Sequence, residues 1–92
     1  MSSQRIYFLV HGTVQGVNFR YFTQKKATEA GVTGWVRNTD TEKVEGEAQG
    51  SPDAIKQFLK HIDQGPTHAK VVKLDKEERS VKDGESRFEV RA

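Results

Sequence analysis

The stretch Arg5-Ile6-Tyr7-Phe8-Leu9-Val10-His11, running straight into Gly12-Thr13-Val14-Gln15-Gly16-Val17-Asn18, decides how this chain folds. Alternation places Ile6, Phe8 and Val10 on one side of a strand and Tyr7 and Leu9 on the other. Both faces are therefore partly apolar, which marks a strand central in its sheet. Two glycines within the five positions from Gly12 to Gly16 then break the pattern as a loop does. Asn18 is placed to N-cap a helix through Ala30, and Gly31 ends that helix as its C′ residue. The buried stripe of this helix is thin: Phe19, Phe22, Ala27 and Ala30, with Thr23 filling in.

Beyond that helix, Thr33 to Asn38 is expected as a second strand, with Trp35 in the core. The polar turn Thr39-Asp40-Thr41-Glu42-Lys43 and a third strand from Val44 to Gln49 complete a hairpin. In the third strand Val44, Gly46 and Ala48 alternate with Glu45, Glu47 and Gln49, so one face packs under helices and the other is expected to be solvated and acidic. Ser51-Pro52-Asp53 supplies an N-cap, a first-position proline and a first-turn carboxylate for a second helix. Ile55, Phe58, Leu59 and Ile62 recur along it at helical spacing, and Gly65-Pro66 stops it. His68 to Asp75 predicts a fourth strand and Arg87 to Arg91 a short fifth, with a charged, mobile link from Lys76 to Ser86 between them. This order is the split βαβ pattern of a ferredoxin-like α+β sandwich: an antiparallel sheet of four to five strands with two helices on one face.

Composition narrows the function. The 92 residues fit a single domain spanning 1–92, 34% hydrophobic with a net charge of only +2, which is not the signature of disorder. A domain of this size buries about 60–68% of its unfolded surface, too little to enclose a large cofactor in a deep cavity. No cofactor is expected. The absence of cysteine removes disulfides, thiolate zinc sites and thiol nucleophiles. The longest apolar run, Ile6 to Val10, is five residues, and Met1-Ser2-Ser3-Gln4 has no signal-peptide core, so a cytoplasmic location is expected. His11, His61 and His68 are scattered without a carboxylate arrangement, and no metal site is predicted.

The segment Gly12 to Arg20 leaves a strand and enters a helix. Its glycines let the backbone curl so that successive N–H groups converge near the positive helix end, a geometry that attracts anions. Arg20 can close such a cup with a two-donor fork matched to two phosphate oxygens. The same spacing also fits a plain turn with Arg20 as a solvated surface residue. Topology adds a second residue. Strands one and two of a split βαβ unit run parallel with strand three between them, so Asn38, at the end of strand two, can face the loop after strand one. Asn38 is equally a good turn former. Arg37, Lys25 and Lys26 would raise the local positive potential, though solvated lysines are the ordinary case.

Three segments, Gly12 through Arg20, Gly34-Trp35-Val36-Arg37-Asn38 and Val44-Glu45-Gly46, together resemble the signature segments of the acylphosphatase family. The resemblance extends through the Ser51-Pro52 helix start to Phe88-Glu89-Val90-Arg91. It implies metal-free hydrolysis of the carboxyl-phosphate bond of acyl phosphates. The implied catalytic pair is Arg20, binding phosphate beside the backbone N–H groups of Gln15, Gly16, Val17, Asn18, Phe19 and Arg20, and Asn38, positioning the water. The implied partners are small acyl phosphates, with inorganic phosphate as a product inhibitor. Two departures stand out. Glu42-Lys43 occupies a turn where many relatives carry glycine, and Ala92 stands where many end in an aromatic; they bear on turn type and packing more than on the site.

Two alternatives belong to other classes: a phosphate-binding module without turnover, and a ferredoxin-like RNA-binding module. The second needs aromatics on the exposed sheet face, where strand three offers Glu45 and Glu47 and strand one offers Tyr7 alone. The expectation is a monomer that binds neither nucleic acid nor membrane.

Overall fold

The computed structural model describes residues 3–16 and 18–92. Ile6, Phe8 and Val10 lie buried along one side of β1 (Gln4–Thr13), while Tyr7 and Leu9 on the other are half-buried. The chain continues through α1 (Phe19–Ala30), β2 (Thr33–Asn38), β3 (Val44–Gly50), α2 (Pro52–Gln64), β4 (Lys70–Arg79) and β5 (Phe88–Val90). The strands form one sheet in the order β4-β1-β3-β2-β5, with β1 interior as its two-sided apolar pattern requires. Both helices lie on one face of this sheet. They close a core in which Phe58 of α2 meets Phe8 edge-on at 5.5 Å between centroids and Phe88 of β5 at 5.8 Å. Gly46 faces Phe8 across the β1–β3 ladder, and a Cβ there would lie 2.6 Å from Phe8 Cζ, so this glycine makes room for the ring.

Local signals placed the helix ends. Ser51 Oγ accepts from the Ala54 N–H at 3.1 Å with Pro52 at the first helical position. Gly31 ends α1 in the left-handed conformation at φ 74°, the geometry a residue without Cβ adopts freely.

Around β4 and β5 three features depart from expectation, and each depends on contacts distant in sequence. The fourth strand extends to Arg79, so Lys76–Arg79 belong to the sheet: β4 is an edge strand whose charged side chains stay in water while its backbone pairs with β1 from Thr13↔Lys70 to Arg5↔Arg79. The sheet is mixed, because β5 runs parallel to β2. A chain reversing after β4 heads back in the direction of β1, which β2 shares since both are antiparallel to β3. The crossing between β4 and β5 is tied to the outer sheet face, where Gln49 exchanges bonds with the backbone of Lys82 (2.8 and 2.9 Å) and Arg5 binds Glu85.

That outer face is not an open acidic surface. Arg5 is only 1% exposed and reaches Glu47 at 2.6 Å, Glu85 at 2.8 Å and Gln49 at 3.1 Å. Glu45 accepts from the Tyr7 hydroxyl at 2.7 Å and from Arg37 Nε at 2.6 Å. Trp35 lies on this outer face instead of in the core, because Gly34 and Val36 take the buried parity of β2. The Arg91 and Arg37 guanidinium groups cover its ring at 4.9 and 5.6 Å, and Arg79 covers Tyr7 at 4.9 Å. His11 does have a carboxylate beside it: Asp75, brought to 2.7 Å by the β1–β4 pairing.

Candidate active site at the ends of two parallel strands

Because β1 and β2 flank β3 and run the same way, the loop leaving β1 and the last residue of β2 emerge together. Between them is a hollow of about 190 Å³ walled by Val14, Gly16, Asn18, Phe19, Arg20, Tyr21 and Asn38. Val14 and Phe19 are 1% and 2% exposed and root the loop and the helix start in the core. Asn38 is on the inner parity of β2 with Gly34 and Val36, which turns it toward this hollow and away from Trp35.

The backbone around the hollow turns twice through the left-handed region, at Gly16 (φ 73°) and at Asn18 (φ 64°, ψ 26°). Nothing would crowd a Cβ at Gly16, so its glycine is required by the backbone conformation and not by space. Asn18 is the N-cap residue by position, as expected, but its side chain makes no capping bond. At a helix start without a side-chain cap the first-turn N–H groups have no partner within the helix itself. The Phe22 N–H bonds back to the Asn18 carbonyl at 3.1 Å.

Arg20 Nη1 donates to the Arg91 carbonyl at 2.8 Å, which holds the guanidinium at the hollow while leaving its charge in place. Among the described residues no carboxylate lies within ion-pair distance of Arg20. The other basic residues considered from sequence are occupied elsewhere: Arg37 pairs with Glu45 at 2.6 Å, and Lys26 is 3.6 Å from Glu29 and lies over the Phe22 ring. Lys25 is exposed on α1 and does not line the hollow.

Of the residues proposed from sequence, the structure brings Gly16, Asn18, Phe19, Arg20 and Asn38 together; Val17 lies outside the described residues. Gln15 is not part of the wall. Its side-chain amide donates to the carbonyls of Thr39 (2.9 Å) and Lys43 (2.8 Å), lashing the loop to the β2–β3 turn just past Asn38. That turn is closed by Thr39 N–H to Lys43 O (2.8 Å), and Glu42 takes a left-handed φ of 63°, the position a glycine would occupy without strain. Sequence reasoning missed Val14, Tyr21 and the Arg91 carbonyl. An apolar residue inside a glycine loop was the available signal for Val14, and an aromatic in the first helical turn the signal for Tyr21. Nothing local points to Arg91.

A sequence profile of the acylphosphatase family matches residues 6–90. The chain belongs to the acylphosphatase family. Similarity to individual acylphosphatases is spread over the whole chain: it is 44% identical over 87 residues to the acylphosphatase of Geobacillus thermodenitrificans, covering 95% of this chain and 93% of that one. The crystal structure of acylphosphatase from Bacillus subtilis superimposes with a TM-score of 0.92 at 34% identity, covering 97% of this chain and 99% of the other. An acylphosphatase from Coxiella burnetii gives 0.91 at 40% identity, covering 97% and 93%. The ferredoxin-like α+β fold and the assignment to the acyl phosphate hydrolases therefore stand. Among the described residues, no helix of this acylphosphatase-family chain is long and apolar enough to cross a membrane.

On the far side of Asn38 a second hollow of about 500 Å³ opens over the outer sheet face, walled in part by Tyr7, Leu9, Arg37, Lys43 and Glu45. Tyr7, Arg37 and Glu45 in its wall are already paired with one another. Burial and the bond to Glu45 push the Tyr7 phenol up to about 12, so it remains a donor. Burial works to raise Glu45, but its bonds from Tyr7 and Arg37 outweigh it and hold the carboxylate below its ordinary 4.5.

Proposed function

We propose that the 190 Å³ hollow holds the phosphoryl group of an acyl phosphate, with Arg20 and the N–H groups of Gly16, Asn18, Phe19 and Arg20 as donors and Asn38 orienting the attacking water. The observation that carries this reading is the convergence of an unneutralised guanidinium, an uncapped helix start and a carboxamide on one small cavity. Phosphoryl transfer through a loose transition state asks mainly for in-line placement and for donors around the equatorial oxygens. The leaving carboxylate departs at neutral pH without a general acid. Neither a metal nor a protein acid is needed in this scheme. An amide takes up no proton at pH 7, so Asn38 orients the water by hydrogen bonding and the substrate's own phosphate accepts the proton.

In this reading the chain works as one domain spanning 1–92, a monomer in the cytoplasm with no nucleic-acid partner, and its product phosphate competes with substrate. A module that binds anions without turnover would need Arg20 but not Asn38.

The test is hydrolysis of benzoyl phosphate in the presence of a chelator, with inorganic phosphate as competitor. Turnover with competitive inhibition is expected, and kcat should have no pair of enzyme-derived limbs near neutrality. Phosphate binding without turnover would favour the non-catalytic module, and a bell-shaped profile would require a protein acid and base.

A further inference from the structure

At about 190 Å³ the hollow is smaller than the roughly 300–1,000 Å³ of pockets that enclose a drug-sized ligand. It accommodates the phosphoryl head, so the acyl part of the substrate must lie over the rim. In-line displacement decides which part of the rim. Water oriented by Asn38 enters at one apex of the phosphorus, and the acyl oxygen leaves from the apex opposite. The acyl group therefore points away from Asn38, which removes the larger hollow over Tyr7 and Leu9 from consideration, since Asn38 forms part of that wall too.

Among the remaining wall residues, Val14 and Phe19 are buried at 1% and 2% exposure, and Gly16 has no side chain. Tyr21 is different. It lines the hollow yet is 58% exposed, one of only three large hydrophobic side chains so exposed among the described residues. The other two, Val72 and Val81, are far along the chain in β4 and the crossing that follows it, and neither lines this hollow. An aromatic ring kept in water beside a polar cup gains by covering an apolar surface.

Resting on the acyl phosphate reading, we infer that the acyl group leaves the cup past Tyr21 and packs on its ring, so that aromatic and bulky acyl phosphates bind better than acetyl phosphate. Tyr21 is then the residue that sets acyl preference, while Arg20 and the loop amides recognise the phosphoryl group common to all substrates.

The experiment compares steady-state kinetics on benzoyl and acetyl phosphate for the full chain and its Tyr21→Ala, Tyr21→Phe and Leu9→Ala variants, with the inhibition constant of inorganic phosphate measured alongside. Tyr21→Ala should raise KM for benzoyl phosphate about three- to tenfold more than for acetyl phosphate, the range of a lost aromatic contact. The phosphate inhibition constant should move less than twofold, and Tyr21→Phe should keep the original ratio, since the ring and not the hydroxyl makes the contact. An unchanged substrate ratio in Tyr21→Ala overturns the inference, as does a ratio shifted by Leu9→Ala in its place. Turnover by the unaltered chain with an indifferent Tyr21→Ala sinks this inference alone; failure of the unaltered chain to hydrolyse either substrate sinks the hydrolase reading and this inference with it.

Discussion

Arg5 and Arg20 are the same side chain in opposite circumstances. Arg5, near the start of β1, faces the outer side of the sheet, where two carboxylates and an amide surround a guanidinium that is withdrawn from water. Arg20 stands in the first turn of α1, bonded to one neutral carbonyl. The first spends its charge inside the molecule and ties the 80–87 crossing onto the sheet. On the proposed reading, the second keeps its charge for an anion that arrives from outside. On that reading stability and catalysis fall at different ends of the sheet, and substitutions at the two sites should separate them.

The largest effect is expected at the cup. Arg20→Ala should lower turnover of benzoyl phosphate by about 10²–10³, equivalent to about 2.7–4 kcal/mol, and weaken phosphate inhibition with it, while urea denaturation shows little change. Asn38→Ala should reduce kcat to a similar degree and leave the phosphate inhibition constant nearly intact, because the water and not the substrate loses its partner. Equal damage to both quantities would make Asn38 a binding residue.

Arg5→Met should do the reverse. Removing the cation leaves Glu47 and Glu85 partly buried without their partner, at a cost of about 3 kcal/mol in a urea titration; their 22% and 18% exposure allows some rehydration. Activity per folded molecule should persist. If Arg5→Met abolished turnover in a fully folded sample, the separation between the two ends would be broken.

Gln15→Leu tests the lashing between them. Losing both bonds to the β2–β3 turn should move the loop relative to Asn38 and lower kcat about tenfold, with a smaller change in melting temperature. Acid should probe the outer face. Burial tends to raise Glu85, but the bond from Arg5 outweighs it and leaves the carboxylate below its ordinary 4.5. Glu45 is lowered likewise by Tyr7 and Arg37. Just below pH 4.5 the unfolded chain therefore binds more protons than the folded one, so stability present above that pH is lost as the pH falls through the folded values. Denaturation midpoints compared on either side of pH 4.5 should show this loss, and Arg5→Met should reduce it. The smallest effect belongs to the hairpin: Glu42→Gly relieves a left-handed backbone but loosens the unfolded chain, for a net gain of about 0.5 kcal/mol in thermal unfolding.

What the sequence disclosed follows from range. The alternation of β1, the Ser51-Pro52 helix start and the Gly31 helix end are decided by neighbours, and residues 16 and 18–20 are nearly contiguous, so the elements and most of the cup were legible. Asn38 was legible because strand parity and the split βαβ order carry a residue across the sheet. The same parity turns Trp35 outward once Val36 and Asn38 face inward, an inference available from the sequence and not drawn. The length of β4, the partners of Arg5, the His11–Asp75 pair and the Arg91 carbonyl depend on pairings between residues more than 35 positions apart, to which local pattern is blind.

The hold of the Arg91 carbonyl on Arg20 has a temporal side. Arg91 is itself fixed by its N–H to the Val36 carbonyl at 2.8 Å, so the guanidinium is braced only after the last strand has docked beside β2. A nascent chain still missing that strand would carry every loop residue of the cup and lack its brace. Completion of the site is thereby coupled to the docking of β5 beside β2.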